Sequence, residues 1–360
     1  MPFIKREWRI AYDEFRVRIT TVKLLHKSLR ITSNNVYGLC LCGMSYSQCQ
    51  LANTWGIIEA CHFKPTNVYA SYTKMKSYPP FNALVQAVKA GHITMPVIFC
   101  HPVAAKEFIH RYLRHIDFKF VLVTSHYDSD MPTGALANYE ASVLVSNPNL
   151  ERWFTQNCVV NHPKITPIPI GLDYHTIANS NPSTGHMWGR RESPLEQDTT
   201  LLVLRSQMTP IETRIPKCYS TCHMFIGRGH GQDRIDAMNQ VPSSLLHLEK
   251  ERVPRETSWK NQMQYAFVLS PHGNGLDCHR TWEALALGCI PVVKTSPLDR
   301  LYEGLPVLIV KRWSDITYEV LMTAVKELGP LCTPEHIPEK LTLNYWTKLI
   351  REGTTLNQAT

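Results

Sequence analysis

Residues Phe267 to Val293 read FVLSPHGNGLDCHRTWEALALGCIPVV, three kinds of element with no slack between them. Phe267 to Ser270 is a short apolar run of strand type, and His272 to Asp277 is a turn holding two glycines. Cys278 to Leu287 is a helix-forming run stopped by Gly288, and Cys289 to Val293 is again strand-like. Strand, turn, helix, strand is a βαβ unit, whose crossover is almost always right-handed. Open α/β sheets bind ligands at the C-terminal ends of their strands. The first turn of the following helix exposes unpaired N–H groups and partial positive charge, which suits an anion such as phosphate. His279 and Arg280 fall in that turn, and Glu283, three residues on, shares the helix face of Arg280.

The run resembles the nucleotide-sugar site of exostosin-type glycosyltransferases and of related enzymes in large DNA viruses, algae and bacteria. Their hallmark is P-G-…-R-x-x-E-A-L-x-x-G-C-I-P-V. Here it stands as Pro271, Gly273, Gly275, Arg280, Glu283, Ala284, Leu285, Gly288, Cys289, Ile290, Pro291 and Val292. The likeness spans roughly residues 118 to 310, about half the chain. It implies a GT-B architecture, two Rossmann-like α/β domains facing each other across a cleft, with the donor on the second and the acceptor on the first. It also implies an inverting transfer from a nucleotide-sugar, UDP-sugars being favoured, to a glycan or glycoprotein hydroxyl. No metal or other cofactor is implied.

A chain of 360 residues has room for about two domains. With 44% hydrophobic and 19% charged residues it is ordinary globular material, able to bury two cores. No run of about 18 apolar residues occurs, so no transmembrane helix is predicted. The first thirty residues are too polar for a signal peptide, and Glu7, Asp13 and Glu14 argue against a transit peptide. These features predict a cytoplasmic protein. The animal members of the family, often Golgi-anchored through a membrane helix, make Golgi association the alternative.

The formal charge is +8, of which the first thirty residues supply +5. A basic segment attracts nucleic acid, acidic lipid or phosphorylated substrate. No reader motif accompanies it, so nucleic acid is not predicted and peripheral membrane contact stays open. Eleven cysteines are an odd number scattered through apolar runs, as free thiols in a reducing compartment would be. Cys40, Cys42, Cys49 and Cys61-His62 lack the paired spacing of a zinc site.

Along the chain, Val36 to Cys42, Ile57 to Phe63, Pro96 to Cys100, Lys119 to Thr124 and Ser142 to Ser146 read as strands. Phe81 to Gly91, Val103 to His115 and Asn149 to Gln156 read as helices, and Ile165 to Ile170 as a strand. This alternation predicts a parallel sheet covered by helices. An N-terminal domain of residues 1–177 is predicted, then a Pro/Ser/Asn-rich linker or mobile loop over 178–199. A second α/β domain over 200–335 follows, and then a C-terminal helix and tail, 336–360, which could pack back on the first domain. Within the second domain, Leu201 to Leu204, Cys222 to Ile226, Ser244 to Leu248 and Pro306 to Val310 read as strands. Thr209 to Tyr219, Glu256 to Gln264, Ser314 to Leu328 and Pro338 to Arg351 read as helices.

The strand Phe120 to Thr124 ends in a loop carrying His126, Asp128 and Asp130, which can face a cleft or cap a turn. An inverting transfer needs one base to take the acceptor's proton, and Asp130 is the first candidate, with Asp128 and His126 behind it. Gly171, Asp173 and His175 sit at the end of a strand and either line the cleft or bond the hinge together. On the donor side, Gly273 opens the turn. The backbone of Asn274, Gly275, Leu276 and Asp277 and the side chain of Arg280 are placed to hold a departing diphosphate. The resemblance assigns Glu283 to the ribose hydroxyls; a surface ion pair with Arg280 is the alternative. Arg205, Ser206 and Arg214 flank the first strand–helix turn of the second domain, where the arginines face phosphate or solvent. His279 is a phosphate donor or a satisfied helix-start histidine.

Two other enzyme classes fit the residues less well, a nicotinamide oxidoreductase standing as the second alternative. Gly273-Asn274-Gly275 begins a dinucleotide fingerprint, but Cys278 stands where its third glycine belongs, and Lys294 rather than an acid follows the next strand. A nicotinamide oxidoreductase is therefore disfavoured. No G-x-x-x-x-G-K-[ST] occurs, so the chain is not a P-loop nucleotidase. A catalytically inactive nucleotide-sugar or glycan-binding protein remains the alternative to a transferase.

Overall fold

Two parallel β-sheets organise the protein. The computed structural model describes residues 45–66, 74–221 and 229–353. Both sheets belong to one compact unit, Met44–Thr360. The first sheet has the order β1-β2-β3-β4, from Val97–Phe99, Phe120–Thr124, Leu150–Thr155 and Ile165–Pro167. The second has the order β6-β5-β7-β8-β9, from Ile215–Ser220 (β5), Leu246–Leu248 (β6), Tyr265–Leu269 (β7), Ile290–Lys294 (β8) and Leu308–Val310 (β9). All pairs are parallel. The runs FVLVT and YAFVL are buried at every position, as expected of strands covered on both faces. The predicted two-lobed α/β class therefore holds.

Core packing follows strand alternation. Phe267 and Leu269 of β7 enter one core, which lies beneath Tyr318–Leu328, while Val268 enters the other. That second core is continuous across both lobes. It joins Trp153 and Phe154 of β3 to Trp282 and Leu285 of the central helix and to Trp346 of the last one. A shared apolar core of this kind holds the lobes in one arrangement.

The helices used below are α1 (Thr54–Glu59), α2 (Phe81–Lys89), α3 (Asn138–Ser146), α4 (Pro194–Ser206), α5 (Gln232–Gln240), α6 (Arg255–Gln262), α7 (His279–Ala286), α8 (Tyr318–Leu328) and α9 (Leu343–Glu352). Several predicted elements are corrected. Residues 57–59 lie in α1, capped by the Asn53 side chain, which accepts from Gly56 N at 2.7 Å. Residues 142–146 lie in α3 rather than a strand. Conversely, the helix predicted over Asn149 to Gln156 is strand β3, because pairing on both sides with β2 and β4 outweighs its local pattern.

The predicted strand Leu201 to Leu204 is the end of α4. That helix opens on a capping box in which Glu196 N donates to Ser193 Oγ and Ser193 N donates to Glu196 Oε2. The predicted helix over Thr209 to Tyr219 is a short turn at Ile211–Thr213 followed by β5. The expected strands at 36–42 and 222–226, the basic N-terminal segment, Cys40 and Cys42 all lie outside the described residues.

The C-terminal helix meets the first lobe directly. Leu343 N donates to Gln50 O at 2.9 Å, and Ala52 N donates to Leu341 O at 2.8 Å. Leu343 also packs so closely on Gly56 that a Cβ there would lie 2.6 Å from it. Among the described residues the cysteines are free, and no helix is long and apolar enough to cross a membrane.

Candidate functional site

The second sheet changes direction between β5 and β7: the chain leaves β5 to form β6 on one side and returns to form β7 on the other. The loops at such a reversal part and leave a crevice at the strands' C-terminal ends. A cavity of about 800 Å³ lies there. Thr221 lines it from the end of β5, and Gly273, Asn274 and Gly275 from the end of β7. His279, Arg280 and Glu283 line it from α7, and Asp128, Ile170 and Asp173 reach it from the first lobe. The C-terminal ends of the two sheets therefore face each other across it.

The glycine turn is pinned from several sides. His272 N donates to Asp233 Oδ2 at 3.0 Å, and the His272 ring bonds Leu276 O through Nδ1 at 2.8 Å. Asp233 in turn takes the Trp313 indole N–H at 2.9 Å and an ion pair from Lys294, the residue that stands where a dinucleotide fold has its acid. Gly275 brings the lobes together: a Cβ there would lie 2.6 Å from Asn157 Nδ2 and 2.8 Å from Asp128 O. Gly229 lies against the same turn in the left-handed region (φ +60°), where a Cβ would lie 1.8 Å from Asn274 O.

Asp277 lines the cavity, as predicted, but its polar groups are taken up at the seam, and Leu276 is not among the lining residues. The Asp277 amide is taken by Asn157 Oδ1 at 2.9 Å. Its carboxylate accepts from Ile170 N at 2.7 Å, from the Trp282 indole at 2.9 Å and from Tyr302 OH at 3.3 Å. Burial pushes its pKa up to about 6. Leu276 is buried, with its carbonyl on His272. His279 donates through Nδ1 to Gly171 O at 2.6 Å. A carbonyl only accepts, so Nδ1 carries the hydrogen. Burial lowers the ring's pKa, and the neutral ring's remaining nitrogen is an acceptor. His279 thus lines the cavity with its Nδ1 already satisfied by the Gly171 carbonyl.

Arg280 and Glu283 both reach the cavity. Arg280 Nη1 donates to Pro271 O at 2.6 Å, at the root of the turn. Burial raises the pKa of Glu283, while Arg255, with Nε 3.9 Å away, opposes the rise. Arg255 was not foreseen. It is buried, sits 4.7 Å over the Trp188 ring, and bonds Asp173 Oδ2 at 2.9 Å and Gln197 Oε1 at 3.3 Å. Arg234, Lys250 and Arg252 also line the cavity and were missed. The run Glu249-Lys250-Glu251-Arg252, at the C-terminal end of β6, was the available signal.

The hinge residues cluster beside α7. Gly171 has φ +67° and lies where a Cβ would meet Ala52 O at 2.2 Å. Asp173 binds His175 Nδ1 at 3.0 Å, and Thr176 N caps on it at 3.0 Å. Burial raises the Asp173 pKa, but His175, His279 and Arg255 outweigh burial and hold it well below the usual range. Asp173, His175 and His279 place ligand atoms within 4.8 Å of one another, a geometry open to a metal ion, although Arg255 already neutralises the carboxylate.

Three predicted donor residues lie elsewhere. Arg205 is buried and donates to four carbonyls, those of Leu285, Ala286, Thr333 and His336. It closes the C-terminal end of α7, whose last carbonyls lack helical partners. Arg214 is buried against Thr209 O and Cys289 Sγ, and Ser206 is exposed and bonded to Val203 O. None of the three lines the cavity. They were grouped with the site because α4 was read as a strand.

A second cavity of about 430 Å³ adjoins the first and shares Asp128 and Asn274 with it. Tyr127, Ser129, Asp130 and Thr133 line it from the first lobe, and Gly229 and His230 from the second. Asp130 Oδ1 lies 2.8 Å from His230 Nε2. His126 does not reach either cavity. It has φ 62°, its ring packs 4.5 Å from Trp55 and 5.2 Å from His175, and burial followed by the nearby His175 pushes its pKa down to about 3. A ring so weakly basic and so placed is a poor proton acceptor at neutral pH.

No protein-family model and no curated protein matches this sequence. Among solved structures it is similar to a Candida albicans trehalose-6-phosphate phosphatase N-terminal domain (10% identity, 81% of this chain, 76% of that one, TM-score 0.40). It is also similar to an α,α-trehalose 6-phosphate synthase from Burkholderia multivorans (11%, 86% and 81%, 0.38) and to an α1,3-fucosyltransferase (10%, 72% and 78%, 0.35). At these scores the likenesses carry no weight for activity.

Proposed function

We propose that this chain is a GT-B glycosyltransferase that moves a sugar from a nucleotide-sugar, with a UDP-sugar as the favoured donor, to a hydroxyl of a glycan or glycoprotein. The observation that carries the reading is the 800 Å³ cavity at the reversal of the second sheet. There Arg280 and Glu283 stand on one helix face beside the glycine turn. Arg280, Arg234, Lys250 and Arg252 supply positive charge where a leaving diphosphate gains negative charge. Glu283 offers a carboxylate to ribose hydroxyls. The acceptor lies in the 430 Å³ cavity, and its proton leaves toward the Asp130 side. Direct displacement by the acceptor oxygen inverts the sugar carbon, and the cationic side chains do for the diphosphate what a divalent metal would otherwise do.

The test is a thermal-shift and calorimetric screen of UDP, GDP and their sugars, followed by an acceptor array. Arg280→Ala and Glu283→Ala should each weaken UDP binding and transfer at least tenfold, about 1.4 kcal/mol. Unchanged affinity in both folded variants refutes the donor site. Slow release of free UDP from a UDP-sugar without acceptor separates a transferase from a protein that only binds.

A further inference from the structure

We propose that His230 and Asp130, one from each lobe, form the base that takes the proton from the acceptor hydroxyl, with His230 as the catalytic residue and Asp130 as the positioning residue. The assignment rests on the transferase reading and adds a residue that the sequence did not single out. His230 Nε2 lies 2.8 Å from Asp130 Oδ1. A carboxylate only accepts, so Nε2 carries the hydrogen and Nδ1 presents the lone pair. Both side chains are about one-third exposed, so a substrate can reach them.

Their cavity also carries the hydroxyls of Tyr127, Ser129 and Thr133, a lining suited to a polyhydroxylated acceptor. Its wall at Asn274 is also a wall of the larger cavity, so one residue of the glycine turn separates the base from the donor.

Each half of the pair is anchored at the seam. The Asp130 carbonyl takes Gly134 N at 2.7 Å, and Met131 N donates to the carbonyl of Asn157, the residue that also holds the Asp277 amide. On the other side, Gly229, the residue next to His230, lies close against the Asn274 carbonyl. In the step itself the acceptor O–H bond breaks and its proton goes to His230 Nδ1. The oxygen bonds the anomeric carbon, and the carbon–oxygen bond to the diphosphate breaks, its electron pair leaving with the nucleotide. Asp130 stabilises the imidazolium that forms.

The experiment measures UDP affinity by calorimetry and transfer of UDP-hexoses and UDP-pentoses to an oligosaccharide array. Both are measured for the wild-type chain, His230→Ala, His230→Gln and Asp130→Asn. His230→Ala should keep the UDP Kd within twofold and lose 10² to 10⁴ in kcat, the usual worth of a general base. Added imidazole should restore its activity at least tenfold, which a merely structural histidine would not allow. Asp130→Asn should lower kcat at unchanged donor KM and stay insensitive to imidazole. Either His230 variant retaining half of wild-type transfer overturns the assignment. So does loss of transfer in both that imidazole cannot restore. If the wild-type chain neither binds UDP nor transfers sugar, the transferase reading falls and the dyad with it. Wild-type transfer with unimpaired His230 variants removes the dyad alone.

Discussion

Gly275 and Gly273 stand two residues apart in one turn, and replacing each with alanine should have opposite consequences. Neither has a positive φ, so a methyl group adds no backbone strain, and only its neighbours decide the cost. At Gly275 the new Cβ would lie 2.6 Å from Asn157 Nδ2 and 2.8 Å from the Asp128 carbonyl. Neither neighbour can yield cheaply. Asn157 Nδ2 donates to Tyr127 O at 2.9 Å and to Asp128 O at 3.1 Å, and its Oδ1 holds the Asp277 amide. Overpacking costs about 1–3 kcal/mol. Losing one hydrogen bond of the Asn157 set adds about 1 kcal/mol. Gly275→Ala should thus lose about 2–4 kcal/mol.

At Gly273 the Cβ would lie 2.6 Å from Arg234 Nη2, the end of a flexible side chain, and 3.2 Å from Cys278 Sγ. The guanidinium can swing aside, so Gly273→Ala should cost less than about 1 kcal/mol. The displaced Arg234 no longer faces the cavity as before, and UDP should bind several-fold more weakly. Urea unfolding followed by tryptophan fluorescence gives the stabilities, and calorimetry with UDP gives the affinities. Equal stabilities for the two variants, or wild-type stability for Gly275→Ala, would refute the view that this glycine sets the approach of the lobes.

Arg255→Met should cost about 3–5 kcal/mol in urea unfolding, because it strands the buried Asp173 carboxylate, and adding Asp173→Asn should restore at least half of that. Arg205→Ala should lose more than about 2 kcal/mol through its carbonyl bonds while leaving UDP affinity unchanged, and a loss of affinity would return Arg205 to the donor site. Asp173 has a folded pKa well below its unfolded value, so its contribution is full above about pH 4 and fades as pH falls through the folded pKa. The stability gap between the wild-type chain and Asp173→Asn, measured by thermal unfolding, should therefore narrow below about pH 4. A gap that widens on acidification would contradict the assigned pairing.

What the sequence disclosed and what it hid divide along a physical line. The βαβ unit at Phe267–Val293 was legible because its signals are local: an apolar strand, two glycines, and helical spacing closed by Gly288. Burial on both faces makes such strands read as unbroken apolar runs, which is also why β2 was found. β3 escaped because LERWFT carries charge at two of its first three positions, and only its neighbours on both sides make it a strand. The start of α4 was legible in principle, since Ser193-Pro194 with Glu196 spells a helix start, but the Asn/Pro/Ser-rich stretch before it dominated the reading. That error placed Arg205 at the site, and reading β5 as a helix placed Arg214 beside it. The Asp130–His230 contact joins residues one hundred positions apart, and no periodicity encodes a distance of that kind. Local chemistry could therefore nominate Asp130, because its loop follows a recognisable strand. It could not nominate His230, because that contact forms only where the C-terminal ends of two sheets meet, and a pair assembled across such a seam depends on the lobes' mutual position as well as on the residues themselves.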